Sequence, residues 1–415
     1  MKIAIVGSGI AGLTCAYLLN RQHDIQVFEA SDWIGGHTHT VDVEVQGRSY
    51  AIDTGFIVFN DWTYPNFIRL LEQLGVGFKP TEMSFSVSDP VSGVEYNGHD
   101  LNTLFAQRSN LLSPAFWGML RDILRFNRQA LDDLANNRID ADTTLGQYLD
   151  SNGYGRRFIE HYIVPMGSAI WSMSLADMLG FPLQFFVRFC KNHGLLSVSD
   201  RPTWQVIEGG SRSYVAPLTA SFAERIRLNC PVSRVVRDQD GVTVHSAAGA
   251  ERFDKVVFAC HSDQALALLE QPSTQEHEIL GAMPYANNDV VLHTDTRLLP
   301  KRKLAWASWN YRLGGPSDQP AAVTYDMNIL QGIDSDTTFC VSLNQTAAID
   351  PNKILARFQY AHPQYSLAGT VAQGRWEELL GAQHTYYCGA YWANGFHEDG
   401  VVSALRVARA FGETL

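Results

Sequence analysis

The first thirty residues restrict this chain more than any other stretch. Lys2-Ile3-Ala4-Ile5-Val6 is a short apolar run fit for a buried parallel strand, and it leads directly into Gly7-Ser8-Gly9-Ile10-Ala11-Gly12 and then into the helix-like Leu13 to Leu19. In such a strand, GxGxxG, helix unit each glycine has its own duty. Gly7 makes the tight turn, Gly9 lets the backbone approach a pyrophosphate, and Gly12 lets helix and strand pack closely, while the helix N-terminus at Ile10 and Ala11 faces the phosphates. A second strand, Ile25-Gln26-Val27-Phe28, ends in Glu29 and Ala30, with Glu29 placed 20 positions after Gly9 to accept the ribose hydroxyls. A lone GxGxxG means little, but the complete unit predicts a dinucleotide, and an acidic Glu29 disfavours a 2′-phosphorylated one.

Composition removes other function classes. A chain of 415 residues, 46% hydrophobic and 18% charged, has room for about two or three domains and a large core. Its net charge of −11 repels phosphate backbones, so no nucleic acid partner is expected. The six cysteines are scattered without a CxxC pair, which reads as buried thiols in a reducing cytoplasm. His37 and His39 form an HxH pair, yet no Cys, Asp or Glu cluster beside them completes a metal site, and no metal is expected. Glycines interrupt the apolar N-terminus where a secretory signal is continuous, and no run approaches the roughly 18 apolar residues of a membrane span. Any membrane contact is therefore expected to be peripheral, at the inner face. Oligomeric state is left open.

Later segments carry a resemblance. Gly35-Gly36-His37-Thr38-His39-Thr40 and Ala51-Ile52-Asp53-Thr54-Gly55-Phe56 resemble the flavin amine oxidase superfamily, in which a Gly-Gly-Arg stretch approaches the FAD diphosphate. Here His37 replaces that Arg, which weakens any claim of an Arg clamp. Gln205 to Tyr214, Cys230 to Val236, Lys255 to Cys260 and Tyr386 to Gly400 match the same superfamily, and the second and third of these read as a strand pair flanking an Asp240-Gly241 turn. The resemblance implies FAD contacts from Gly35, Gly36, His37, Thr38, Asp53, Thr54, Gly55, Val232 (near adenine), Gly389, Glu398, Gly400 and Val401. It also implies a helix from Val401 to Phe411 whose positive end meets the flavin. Val58-Phe59-Asn60, Ile170-Trp171-Ser172, Arg201-Pro202-Thr203-Trp204 and Gly395 to Gly400 narrow the likeness. They resemble a flavoprotein group similar to the N-terminal oxidase-like half of plant cyclopropane fatty acid synthases, which implies acyl chains as substrates.

The fold expected is α/β: a discontinuous Rossmann-like FAD-binding domain (1–60, 201–265 and 375–415) and an α+β substrate domain (61–200 and 266–374). Apolar spacing predicts helices at Asn66–Leu74, Pro114–Leu134, Thr144–Leu149 and Leu179–Lys191, and alternation predicts strands at Asp289–His293 and Thr338–Leu343. Phe181, Leu183, Phe185, Phe186 and Phe189 either line an apolar tunnel or form core. The helix around Trp117, with Arg121, Arg125 and Arg128, has a composition compatible with a membrane surface but is more often core.

The resembling amine oxidases hold a Lys near flavin N5 on the strand corresponding to Asn288–Leu292, and none stands there; nor does a Cys follow Gly389 where covalently flavinylated members have one. FAD is therefore expected to be non-covalent and the substrate to be hydrophobic. Tyr391, Trp392 and His397 are the candidates on the substrate side, His397 having the pKa suited to proton transfer near pH 7. The reading is an FAD-dependent oxidoreductase that dehydrogenates or isomerises a lipid acyl chain. A flavin amine oxidase and a non-catalytic flavoprotein partner of a lipid-modifying enzyme are the alternatives.

Overall fold

A computed structural model describes residues 1–314, 318 and 321–415. Lys2–Val6 alternates its side chains between two faces, Ile3 and Ile5 on one and Ala4 and Val6 on the other, and both sets are buried. A strand covered on both sides needs apolar residues at every position, and this one becomes the centre of a five-stranded parallel sheet. The order is Ile226–Arg227, Asp24–Phe28, Lys2–Val6, Lys255–Phe258, Thr385–Tyr387. Helices Ile10–Leu19 and His397–Ala410 pack together on the Ile3 and Ile5 face. Each fully buried Ile or Leu there contributes about 1.5–3 kcal/mol.

The chain leaves Lys2–Val6 toward Asp24–Phe28 on one side, while Lys255–Phe258 returns on the other. The C-terminal ends of these two neighbours therefore border a crevice where the strand order reverses, the usual ligand position of an open α/β sheet. The expected pairing of Cys230–Val236 with Lys255–Cys260 does not form. Val232–Asp238 does turn at Asp240-Gly241, but its partner is Gly241–Ser246, followed by Gly249–Phe253, and Lys255–Phe258 belongs to the parallel sheet. Four uninterrupted apolar or stem-burying residues suit a strand buried on both faces better than an exposed ribbon.

A seven-stranded mixed sheet forms the second half, in the order Ile354–Pro363, Tyr285–His293, Cys340–Leu343, Val323–Asp326, Trp309–Arg312, Phe85–Ser88, Glu95–Asn97. All its pairs are antiparallel except Trp309–Arg312 with Phe85–Ser88. Two of these strands, Phe85–Ser88 and Glu95–Asn97, lie between the expected helices Asn66–Leu74 and Pro114–Leu134. The helix expected over Leu179–Lys191 is two helices, Leu175–Leu179 and Leu183–Asn192, because Pro182 has no N–H to donate and disfavours helical backbone before it. Among the described residues no helix is long and apolar enough to cross a membrane, and all six cysteines are free thiols.

Candidate active site

At the crevice the glycine loop has the geometry of a phosphate cradle. Gly7 sits at φ +107°, and a Cβ there would lie 2.8 Å from the Ala259 carbonyl oxygen, so the turn admits no side chain. A Cβ on Gly9, in contrast, would enter open space. Facing Gly9 across a bridge are Gly35 and Gly36. Helix Ile10–Leu19 has no side-chain cap and no acid in its first turn, which leaves its leading N–H groups and positive end available to an anion.

Glu29, 9% exposed, anchors this loop. Its Oε2 accepts from the Ser8 N–H (2.8 Å) and hydroxyl (2.6 Å), and Oε1 accepts from the Ser31 N–H at 2.9 Å. Three of its four lone-pair sites are used, and Oε1 keeps one for a ribose hydroxyl. Ala30 beside it is exposed. Glu29→Ala is expected to weaken FAD binding by about 1.5–3 kcal/mol, the worth of a hydrogen bond to a charged acceptor. Equilibrium titration of apoprotein with FAD checks this; an unchanged Kd would assign Glu29 to the loop alone.

Three imidazoles meet at the crevice from distant segments. His37 follows Gly36, His261 follows the Lys255–Phe258 strand, and His362 lies near the end of Ile354–Pro363. The His37 ring lies 5.5 Å from His362 and 6.3 Å from His261, and Tyr285 stacks on His261 at 4.1 Å. Burial lowers all three, His37 and His261 to about 4 and His362 to about 3, and each feels a neighbouring imidazole as a second unfavourable charge. All are neutral at pH 7. Asn288 donates to His362 Nδ1 (3.1 Å) and accepts from Asn344 (2.8 Å), so the His362 proton sits on Nε2. His37 Nε2 is buried without a partner. Among the described residues, no three His, Cys, Asp or Glu side chains are arranged to hold a metal.

The other predicted residues separate into cradle and scaffold. Thr38 Oγ1 contacts the Tyr214 hydroxyl (2.5 Å) and His397 Nε2 (2.9 Å). Asp53 is fully buried, accepting from Thr40 and from the Ser211 N–H and hydroxyl, and burial raises its carboxyl to about 6 despite those bonds. It joins the Thr40–Asp53 hairpin to the Ser211 turn and does not face the crevice with a free oxygen. Thr54 bonds the Tyr360 hydroxyl at 2.7 Å, and Gly55 packs against the His37 carbonyl. Val232 opens the antiparallel hairpin and is half-buried. Gly389 donates to Ser403 Oγ at 2.8 Å, and Gly400 and Val401 press the last helix onto Ile10.

The Glu398 side chain is engaged within the protein. Its carboxylate accepts from the Asn66 N–H and side chain and from the Phe67 N–H at 2.8 Å, so it caps the neighbouring helix Pro65–Leu74. The last helix begins at His397, four residues before Val401, because Asp399 bonds back to the Phe396 N–H at 2.9 Å. His397 stacks on Phe56 with ring centres 3.5 Å apart. Burial, then the nearby His37, pulls it well below 6.5, so it does not titrate near pH 7. Trp392 turns into a core void with Trp376, Leu379 and Val407, and Tyr391 is 1% exposed with an unpartnered hydroxyl.

Beside the Asn394-Gly395 loop stands an aromatic wall that sequence patterns did not single out as a unit. Trp171 lies 4.4 Å from Phe181 and 4.8 Å from Phe189, Phe185 lies 5.1 Å from Tyr365, and Phe396 lies 5.1 Å from Phe189. The Trp171 indole donates to the Asn394 carbonyl, and the buried Tyr365 hydroxyl has no partner. Phe181, Leu183 and Phe186 are fully buried core behind it. A separate cavity of about 370 Å³ is lined by Trp62, Tyr64, His193, Phe396, Glu398 and Asp399. Burial lifts Asp399 to about 7.

The open space at Gly9, the uncapped helix, the spare lone pair of Glu29 and the orphaned His37 Nε2 together fit a dinucleotide cofactor. Comparison with known proteins agrees. The family model for flavin containing amine oxidoreductase matches residues 10–329. AofH of Mycobacterium tuberculosis, which carries the name of a flavin-containing monoamine oxidase, is 24% identical over 350 residues, covering 79% of this chain and 71% of that protein. A putrescine oxidase double mutant superposes with a TM-score of 0.70 at 14% identity, over 99% of this chain and 98% of the other. A conjugated-linoleic-acid-producing fatty acid isomerase from P. acnes gives 0.69 at 16% identity, with the same coverage. The chain belongs to the flavin-containing amine oxidoreductases, and it is an FAD-dependent enzyme.

Proposed function

We propose that this enzyme oxidises or isomerises an uncharged, apolar acyl chain. The observation that carries the reading is the aromatic wall of Trp171, Phe185, Phe189, Tyr365 and Phe396 beside the Asn394-Gly395 loop, which leads into the last helix. An ammonium buried against it without a matched carboxylate costs several kcal/mol, whereas each buried methylene gains about 0.8 kcal/mol. Strand Tyr285–His293 contains no Lys, and its Asn288 instead orients His362. Bound FAD supplies a two-electron acceptor. The chain's own residues hold the ribose and exclude water with the aromatic wall. The likeness in fold to a fatty acid isomerase supports this reading.

One observation favours an amine substrate. Asp399 and Glu398 line the 370 Å³ cavity with Trp62, Tyr64 and Phe396, a carboxylate and aromatic mixture that suits an ammonium. Anaerobic mixing separates the two readings. Unsaturated or methyl-branched acyl lipids are expected to bleach the flavin or to emerge as isomers by product analysis, with putrescine and aromatic amines inert. Rapid bleaching by a simple amine, with no response to acyl lipids, would overturn the acyl reading.

A further inference from the structure

Helix Pro114–Ala135 buries Phe116, Met119, Phe126 and Ala130 in the core, yet its outer face is not simply polar. Trp117, Arg121, Leu124 and Arg128 follow one another at spacings of four, three and four, so they form one stripe down the helix. Trp117 is 50% and Leu124 60% exposed, and the residues leading into the helix, Leu111 and Leu112, are 47% and 88% exposed. The Trp117 indole donates to the Leu111 carbonyl at 2.9 Å, which fixes the ring next to these leucines. At about 1.5 Å per residue the stripe runs roughly 16 Å from Trp117 to Arg128.

We propose that this stripe, with Leu111 and Leu112, docks on an anionic lipid bilayer. The charge distribution selects the partner. Arg121 and Arg128 are exposed and form no ion pair among the described residues, and the exposed positions from Pro114 to Arg128 carry no carboxylate, since Asp122 is buried. This basic stripe stands on a chain of net charge −11, against the sign of the whole molecule. Arg125, expected on the same face, turns inward: its guanidinium lies 3.9 Å over Tyr154 and pairs with Asp122. A symmetric contact with a second copy would bring Arg121 and Arg128 near their own counterparts with no acid between them. A bilayer supplies what the stripe lacks, phosphates for the arginines and an interfacial layer where an indole and leucines leave water. The surface does not depend on what the enzyme oxidises.

The test uses holoprotein and vesicles of phosphatidylcholine alone or mixed with phosphatidylglycerol. The wild type is expected to sediment with the mixed vesicles and to be released by salt. Arg121→Ala/Arg128→Ala is expected to lower the partition coefficient about 25-fold, fivefold for each arginine near an anionic surface. Leu112→Ser is expected to weaken it as well, with flavin content and melting temperature unchanged in both variants. Three results would each overturn the proposal: no binding by the wild type, equal binding to both vesicle types, or variants that bind like the wild type. Sedimentation velocity showing a dimer that these substitutions dissolve would assign the stripe to a second copy instead.

Discussion

Gly9→Val is expected to give a folded protein that binds no FAD, whereas Gly12→Ala, a smaller change three residues on, is expected to cost about 3 kcal/mol of stability or more. The backbone at Gly9 has φ −68° and ψ 176°, an extended conformation that Val accepts, and its new side chain would project into open space. That space is the cradle, so the isopropyl group occupies what the pyrophosphate needs. A Cβ on Gly12 overlaps the Gly7 carbonyl oxygen and comes within 3.1 Å of the Ala259 side chain. Neither neighbour can retreat, because Gly7 and Ala259 follow the two central strands of the parallel sheet. Flavin absorbance after purification and urea denaturation of the apoproteins check the pair. A yellow Gly9→Val protein would move the pyrophosphate elsewhere, and a Gly12→Ala protein as stable as the wild type would show that the helix can slide.

Arg237→Met is expected to destabilise the protein by about 3–5 kcal/mol, with Arg237→Met/Glu276→Leu recovering most of that loss. The pair is deeply buried, with side-chain exposures of 5% and 3%. Burial opposes charge on Glu276, yet Arg237, the Tyr387 hydroxyl at 2.6 Å and the Ser273 N–H at 2.7 Å hold its carboxyl below the usual range. Arg237 also donates to the Gln271 carbonyl at 2.7 Å. These bonds tie the Val232–Asp238 strand, the Thr274–Gly281 helix and the Thr385–Tyr387 strand together. Removing the cation leaves an uncompensated carboxylate; removing both leaves an apolar contact. A double-mutant cycle by urea denaturation measures the difference, and a single variant within 1 kcal/mol of the wild type, about a fivefold change in the folding equilibrium, would show that water reaches Glu276.

Much of the cofactor half was legible because its signals are local. Gly7 to Gly12 and Glu29 lie within one βαβ unit, and their duties follow from turn geometry and helix ends that a few consecutive residues decide. The helix at Pro114 and the Asp240-Gly241 turn were legible for the same reason. The partners of Glu398 were not legible: its carboxylate reaches Asn66 and Phe67, more than three hundred positions earlier, a partnership that no spacing near Gly395–Gly400 announces. Arg125 was not legible either: an arginine on an amphipathic helix found nearer partners, Tyr154 and Asp122, in the folded protein.

The sequence by itself determined that a dinucleotide-binding strand, glycine loop and helix open the chain and that no lysine stands on the Tyr285–His293 strand, since each depends on residue identity and short-range backbone geometry. Only the tertiary structure decided that His37, His261 and His362 meet as one uncharged cluster, and that Trp171, Phe189 and Tyr365 share a wall with Phe396. Those groups arrive on segments separated by up to 325 positions, from His37 to His362, and what brings them together is the burial of two sheets around a shared crevice. Their chemistry follows from that enclosure: the same low-dielectric surroundings that hold the imidazoles neutral leave the His37 nitrogen without a partner.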